Sequence, residues 1–349
     1  IFMKKKNLAA ILKKQNKNLL VLNLDYPQVP RDYVLVKMKY SGICHTQLNE
    51  ISGKLGKDRF IPHCMGHEGV GEILSIGLGV KKFKIGDKVV ISWIKKKLSK
   101  KILPTFYNSN SKKINTGGCN TLLNYSLVSE DRVFKINKKN KYLRESILLG
   151  CAIPTASNAI LKNTLINKKS NILIMGMGGL GYASLLVLNY LKCENIICID
   201  NNLKKLNLLK KRKGVNFQLI NNFNIKKFVK LNNENFDLII DCTGSKKLIE
   251  KTFSLCKRFV GKFIIIGNTR LNEKFSLNAW DFINGKTFTG AWGNGGTIMN
   301  NFNINEKILL NQIDNIKKLL PKKDYNLKDI NKAIKHFKEG KILRPVVKF

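Results

Sequence analysis

The sequence predicts an α/β protein in which a β-rich region is followed by a doubly wound parallel sheet. Residues 171–200 read as strand, glycine turn, helix and strand. Strand and helix patterns keep alternating up to Gly290, which is typical of a parallel sheet covered by helices. Before Cys151 the apolar runs are short, bounded by turns and strand-like. The chain is therefore expected to hold two structurally different parts.

The glycine turn is the strongest local motif. Gly176, Gly178 and Gly181 form G-x-G-x-x-G, with Gly179 and Leu180 between the last two glycines. The first glycine permits a tight turn, the second lets a pyrophosphate approach the backbone, and the third lets the helix pack closely on the strand. The unpaired N–H groups at the start of the helix are suited to hold phosphates.

Asp200 ends the second strand of this unit, at the distance from the turn where an acid accepts hydrogen bonds from a ribose diol. A glycine turn followed by such an acid predicts a dinucleotide site, with NAD preferred over NADP because the carboxylate repels a 2′-phosphate. The alternative is an ordinary glycine-rich turn in an α/β domain.

The charge of the chain has two competing interpretations. The chain has 349 residues, enough for two domains with full cores, and a formal net charge of +40. A basic surface favours polyanions, but the lysines are spread from Lys4 to Lys348 and no basic stripe is interleaved with aromatic residues. We therefore favour a general lysine bias on solvated faces, without a specific nucleic-acid partner.

The cysteines and apolar runs indicate a cytoplasmic protein. The eight cysteines form no dense framework, so their thiols are expected to be free to act as ligands. The apolar run at residues 8–12 is too short for the core of a signal peptide. No apolar run approaches the length that spans a membrane.

Apolar periodicity predicts further elements in both parts. A hairpin is expected over residues 8–24 and a helix over residues 203–213. The remaining strands are expected at residues 33–40, 72–76, 88–93, 120–129, 236–241 and 262–266.

Several short motifs occur in a fixed order along the chain. They are GICHT at residues 42–46, GHEGVG at 66–71, GDKV at 86–89, GCAIPTA at 150–156, the glycine turn, and GKILRPVVKF at 340–349. On these motifs the chain resembles the zinc-dependent alcohol dehydrogenases of the medium-chain dehydrogenase/reductase superfamily, over nearly its whole length. The resemblance implies a β-rich, GroES-like catalytic domain at residues 1–151 and 293–349, and a Rossmann NAD-binding domain at residues 152–292.

The resemblance assigns one catalytic Zn²⁺ to Cys44, His67 and Cys151. Two thiolates and a neutral imidazole with one open position are a known catalytic zinc arrangement, and an alcohol beside the metal loses its proton more readily. The alternative is that the cysteines are small core residues and His67 a buried histidine. The neighbouring His63 and Cys64 are interpreted as structural.

The residues around these ligands follow the family only in part. Thr46, expected at a strand end, occupies the position of the hydroxyl that takes the alcohol proton. Glu68, expected like Thr46 to be catalytic, is the acidic neighbour behind the metal, where it steadies the site, briefly replaces a ligand, or simply pairs with a cation such as Arg344. Gln47 replaces an aspartate that orients the histidine ligand in many relatives, and Asn49 replaces a histidine that passes the proton to solvent in some.

The resemblance also assigns the remaining contacts. Trp93 is expected to form an aromatic wall of the substrate pocket. Cysteine rather than glutamate at position 151 favours the alcohol dehydrogenases over the polyol dehydrogenases. Beside the glycines and Asp200, the expected cofactor contacts are His45, Thr155, Leu180, Lys205, Gly267 and Arg344.

A second, structural zinc is not expected. Many relatives carry a four-cysteine lobe at the place of residues 95–118, and this chain has no cysteine there.

The expected function is reversible, NAD-dependent oxidation of a small alcohol to an aldehyde or ketone, by a homodimer or homotetramer. Three alternatives stay open at this point. One is a zinc-free quinone or enone reductase of the same fold, and another is a basic nucleic-acid-binding protein. The third is a degenerate enzyme that binds NAD without turnover.

Overall fold

A computed structural model describes residues 7–95, 105–110, 112–163, 166–209, 215–220, 224–293 and 302–349. The chain divides into two compact units, of which the first is Ile1–Cys151 with Gly296–Phe349 and the second is Ala152–Gly295.

The described strands and helices follow one another along the chain. The strands are β1 Asn7–Leu12, β2 Leu20–Leu24, β3 Tyr33–Gly42, β4 His63–Cys64, β5 Glu68–Ile76, β6 Lys88–Ser92, β7 Phe106–Ser109, β8 Lys112–Asn115, β9 Tyr125–Ser129, β10 Val133–Lys135, β11 Asn171–Met175, β12 Asn195–Asp200, β13 Val215–Leu219, β14 Leu238–Asp241, β15 Lys262–Ile265, β16 Thr287–Gly290, β17 Tyr325–Asn326 and β18 Val346–Lys348. The α-helices are α1 His45–Ser52, α2 Ala152–Asn163, α3 Gly179–Tyr190, α4 Leu203–Leu209, α5 Ile225–Leu231, α6 Lys246–Thr252, α7 Ala279–Ile283, α8 Phe302–Asn311, α9 Ile313–Leu319 and α10 Ile330–Lys338. In the described part of the chain, no helix combines the length and apolar character that crossing a membrane requires.

The first unit contains two sheets. One has the order β2-β1-β4-β8-β7, and the other has the order β10-β6-β5-β3-β18-β17 with β9 also paired to β3. The predicted hairpin is confirmed, because β1 and β2 pair antiparallel from Asn7 with Leu24 to Ile11 with Leu20. Strand β3 is buried on both faces: Val34 and Val36 enter one apolar cluster, while Leu35 between them enters another.

Helix α1 corrects the prediction that Thr46 stands at a strand end. The chain leaves β3 and turns at once into this helix, so Thr46 lies in its first turn. Cys44 is the N-cap and Gln47 completes a capping box, while Gly53 ends the helix in the left-handed conformation at φ 70°. The spacing Cys44-x-x-Gln47 was the available signal, although cysteine is not a preferred N-cap residue.

The second unit confirms the predicted doubly wound sheet. Its strands are all parallel, in the order β13-β12-β11-β14-β15-β16. This order reverses direction between β11 and β14, which is the switch point where such sheets bind ligands at their carboxyl ends. The predicted helix at residues 203–213 is observed as α4 up to Leu209, and the rest of that range lies outside the described residues.

Candidate active site

Three side chains from separate parts of the first unit meet at one point. Cys44 precedes α1, His67 precedes β5, and Cys151 follows the short 3₁₀-helix Glu145–Gly150. Their potential ligand atoms all lie within 4.8 Å of one another. Among the described residues this is the group of three or more His, Cys, Asp or Glu side chains placed to hold a metal ion.

The geometry and the donors of this cluster fit zinc. The two sulfur atoms are 3.9 Å apart. Tetrahedral coordination with Zn–S bonds of about 2.3 Å requires a separation of about 3.8 Å. The Nε2 atom of His67 is buried and has no hydrogen-bond partner in the described part of the chain. A buried polar atom without a partner is costly, so a cation at this point would satisfy it.

The two sulfurs share a proton unequally. The hydrogen bond from Cys151, with the nearby Arg344 and His67, holds the pKa of Cys44 well below its usual range despite burial. The same sulfur contact and burial hold the pKa of Cys151 well above its usual range. The opposed directions of these two pKa shifts favour the thiolate at Cys44 and the thiol at Cys151.

Gln47 connects two of the three candidate ligands. Its Oε1 accepts a hydrogen bond from the backbone N–H of Cys44 at 2.8 Å, and its Nε2 lies 2.6 Å from Nδ1 of His67. The side chain is buried, with 1% of the residue exposed. Gln47, which stands where many relatives have an aspartate, therefore contacts the cluster through an amide instead of a carboxylate.

A buried ion pair lies next to the cluster. Glu68 is fully buried, and its Oε2 accepts a hydrogen bond from Nη2 of Arg344, which is 3% exposed. A Cβ built on Gly42 would lie 2.3 Å from Glu68 Oε1, so this glycine leaves room for the carboxylate. Glu68 therefore pairs with Arg344, and its catalytic role at the metal stays a prediction. The cofactor role of Arg344 stays a prediction.

The other residues predicted around the metal differ in their exposure and contacts. The hydroxyl of Thr46 is 3.7 Å from the Cys44 sulfur, and Asn49 is buried on the same helix. Trp93 is half-buried just after β6, and its carbonyl accepts a hydrogen bond from Arg132. His45 is exposed at the start of α1, with its ring edge-on to a phenylalanine ring of α10.

His63 and Cys64 lie outside the three-ligand cluster. His63 Nε2 is 2.9 Å from a carboxylate oxygen of Asp58, and its Nδ1 is 2.9 Å from the carbonyl of Cys64. Burial raises the pKa of the Cys64 thiol, which therefore stays protonated. These contacts agree with their interpretation as structural residues.

In the second unit, the glycine turn has the geometry that its sequence predicts. Gly176 has φ +88°, which favours glycine. A Cβ built on Gly178 would meet nothing within 4 Å, so the backbone is open to an approaching group. A Cβ on Gly181 would lie 1.9 Å from the carbonyl oxygen of Gly176, so only glycine allows the helix to pack this closely.

Asp200 holds the turn from the neighbouring strand. Its two carboxylate oxygens accept hydrogen bonds from the backbone N–H groups of Met177 at 2.7 Å and Asn202 at 2.8 Å. Lys205 places its ammonium 3.7 Å from the same carboxylate. The acid therefore orders the turn, and each oxygen retains a second lone pair for another donor.

The remaining predicted cofactor residues of this unit lie on two further elements. Gly267 follows β15, donates its N–H to the carbonyl of Asp241, and would place a Cβ 2.4 Å from the backbone nitrogen of Gly244. Thr155 is buried in α2.

Three hydroxyl residues that sequence reasoning missed fix the backbone around the cluster. Ser41 and Thr121 both donate to the carbonyl of Glu68, at 3.0 and 3.1 Å. Ser92 donates to the carbonyl of Gly150 at 2.7 Å, immediately before the third candidate ligand. Nothing in the sequence singles them out, because their role depends on contacts between distant strands.

Comparisons with known proteins place this geometry in a family. The family described as "Alcohol dehydrogenase GroES-like domain" matches residues 30–138, and the family described as "Zinc-binding dehydrogenase" matches residues 179–306. Together the two ranges cover more than half of the chain. The chain belongs to the zinc-type medium-chain alcohol dehydrogenases.

Whole-length relatives agree with this membership. An S-(hydroxymethyl)glutathione dehydrogenase from Escherichia coli is 24% identical over 99% of this chain and 100% of its own length. In fold, the chain is similar to the benzyl alcohol dehydrogenase of Acinetobacter calcoaceticus, with a TM-score of 0.85 at 23% identity over 99% of both chains. It is also similar to the 2R,3R-butanediol dehydrogenase of Bacillus subtilis, with a TM-score of 0.78 at 19% identity over 98% of this chain and 99% of that one. Family membership and the Cys-His-Cys cluster support zinc and NAD(H) as metal and coenzyme.

Proposed function

We propose that this alcohol dehydrogenase transfers hydride reversibly between a small alcohol and NAD, with a single Zn²⁺ held by Cys44, His67 and Cys151. The observation that carries the proposal is the convergence of these three ligands, with sulfurs 3.9 Å apart and His67 Nε2 buried without a partner in the described residues. When bound, zinc would act as a Lewis acid that lowers the pKa of the substrate hydroxyl.

The side chains around the ligands have separate tasks in this proposal. Thr46 supplies the hydroxyl that accepts the substrate proton while it passes its own proton on towards water. Glu68 and Arg344 place a paired carboxylate and guanidinium behind the ligands, which keeps the charge of the buried site balanced. Trp93 forms an aromatic wall of the substrate pocket.

NAD is proposed to bind the second unit. The N–H groups at the start of α3, together with Gly176, Gly178, Gly179, Leu180 and Gly181, are suited to hold the pyrophosphate. The Asp200 carboxylate accepts the ribose hydroxyls and disfavours NADP, with Lys205 beside it. Further proposed contacts with the cofactor are His45, Thr155, Gly267 and Arg344. The catalytic domain is taken as residues 1–151 and 293–349, and the NAD domain as residues 152–292.

The absence of cysteine from residues 95–118 supports one zinc per chain. Part of this lobe lies outside the described residues, and β7 and β8 pair as a hairpin within the described part. Metal analysis of the purified protein, combined with turnover of a panel of small alcohols and aldehydes, tests the proposal. Turnover without zinc would favour the zinc-free reductase instead.

The surface of the second unit supports a homodimer or homotetramer. Strand β16 is at the edge of its sheet, and α7 precedes it with Trp280 64% and Ile283 67% exposed. Phe259 and Val260 adjoin the same connection and are 78% and 68% exposed, respectively. A strand at the edge of the described sheet, beside large exposed apolar side chains, is typical of an interface. Light scattering should show an oligomer that Ile283→Asp weakens.

A further inference from the structure

Gln47 faces two hydrogen-bonding partners and has a single acceptor atom. Its Oε1 lies 2.8 Å from the backbone nitrogen of Cys44, and its Nε2 lies 2.6 Å from Nδ1 of His67. The side chain is buried, so solvent is a poor substitute for a lost partner. The backbone nitrogen of Cys44 is always a donor, whereas Nδ1 of His67 donates or accepts according to the ring tautomer.

Metal binding requires one of these tautomers. His67 Nε2 points into the cluster without a partner in the described chain, so it is the ligand atom. A neutral imidazole that offers Nε2 to a cation carries its proton on Nδ1. In that state Gln47 faces two donors, the ring N–H and the backbone N–H of Cys44.

An amide cannot serve both donors from its two ends. Oriented as in the structure, it presents NH₂ to Nδ1, so Nδ1 must accept and the ring proton occupies Nε2, where a metal would bind. Turned by 180°, it presents NH₂ to the backbone N–H of Cys44, and the N-cap of α1 loses its acceptor. The conflict holds whichever way the amide is assigned.

We propose that Gln47 is a positioning residue that couples metal loading at His67 to the N-terminus of α1. The amide favours the His67 tautomer that excludes a metal, and binding of Zn²⁺ requires the amide to turn away from Cys44. The coupling rests on the proposed metal site. Zinc affinity is thereby weaker than the same ligands would give with a carboxylate, whose two oxygens serve both donors.

The first test reads the tautomer directly, first in the wild-type protein and then in one variant. The chain has four histidines. Two-bond ¹⁵N–¹H correlation spectra, recorded above the ring pKa, should show His67 with its proton on Nε2 in metal-free protein and on Nδ1 after addition of ZnCl₂. Gln47→Glu should place the proton on Nδ1 in both states. Metal-free wild type with the proton on Nδ1 would overturn the proposal.

The second test measures zinc affinity by competition with a chelator. Gln47→Glu should bind Zn²⁺ about 10–100-fold more tightly than wild type, the range typical of partners that support a metal ligand. Asn49→Asp is the matched control, since it makes the same amide-to-acid change two residues along α1. An equal gain in both variants would mean that added charge alone acts, and would overturn the coupling.

Failure of the coupling is distinguishable from failure of the metal site. Wild type that binds zinc with unchanged tautomer populations contradicts the role of Gln47 alone. Wild type and both variants without bound zinc contradict the metal site and the coupling together.

Discussion

The two candidate sites of this chain are built in opposite ways. The cofactor turn is local, since Gly176, Gly181 and Asp200 fall within one strand–helix–strand unit. The metal cluster joins residues that are up to 107 positions apart, and its supporting ion pair joins residues 276 positions apart. A local site survives changes elsewhere in the chain, whereas a site assembled from distant segments depends on every segment. This difference makes the two sites separable by mutation.

Loss of a metal ligand should have the largest effect. In Cys151→Ser the cluster loses one of two sulfurs, so zinc and alcohol oxidation should fall together, by more than about 100-fold in activity. NAD affinity should be unchanged, because the glycine turn belongs to the second unit. Metal analysis, initial rates and NAD titration measure these quantities.

Cys64→Ser is the control for this variant. Cys64 is as buried as Cys151 but lies outside the cluster, so its loss should cost stability and leave zinc in place. Equal loss of zinc in the two variants would show that core packing, and not coordination, explains the Cys151 result.

Thr46→Val should separate the proton path from the metal. The variant keeps the volume of the side chain and removes its hydroxyl. We expect turnover to fall by about 100-fold, the lower range for removal of a proton-transfer group, with zinc and NAD binding retained. Full turnover in this variant would remove Thr46 from the proposed chemistry.

Asp200→Asn should change cofactor preference by a smaller amount. The substitution removes the charge while leaving an oxygen that can accept from the N–H of Met177 or Asn202. A lost repulsion of about 1–4 kcal/mol corresponds to a rise of about fivefold or more in the NADP to NAD ratio of kcat/KM. Lys205, freed from its ion pair, would then face the 2′-phosphate. A wild-type preference for NADP would contradict the role given to Asp200.

The zinc affinity should also depend on pH. The hydrogen bond to Cys44 and burial raise the pKa of Cys151, so its thiol keeps a proton through the neutral range and must release it when zinc binds. Because binding expels that proton, affinity should rise with pH, by about tenfold per unit for each proton released. Chelator competition at several pH values measures the slope, and a pH-independent affinity would contradict the proton assignment.

The sequence predicted the local site more completely than the assembled one. The turn and the position of Asp200 follow from patterns within about 30 residues, and the parallel sheet follows from strand–helix alternation up to Gly290, all of which propensity and periodicity describe. Helix α1 was missed because apolar alternation before it favoured strands. The bond between Gln47 and His67 depends on how α1 meets β5, and no periodicity encodes that contact.

The family resemblance grouped the three metal ligands, which periodicity could not relate to one another. Cys44, His67 and Cys151 are individually ordinary residues, and only the ordered motifs grouped them. The same motifs showed that Gln47 replaces the aspartate of many relatives. The structure adds its hydrogen bonds to Cys44 and His67, on which the effect of the replacement depends.

The central claim is that one zinc, held by the three converging ligands, carries the activity. Zinc content, NAD affinity and alcohol oxidation measured on the same samples of wild type and His67→Ala test it most directly. We predict one zinc per chain and turnover in wild type, and neither in His67→Ala, with NAD affinity equal in both. A His67→Ala protein that keeps its zinc and full activity would contradict the claim.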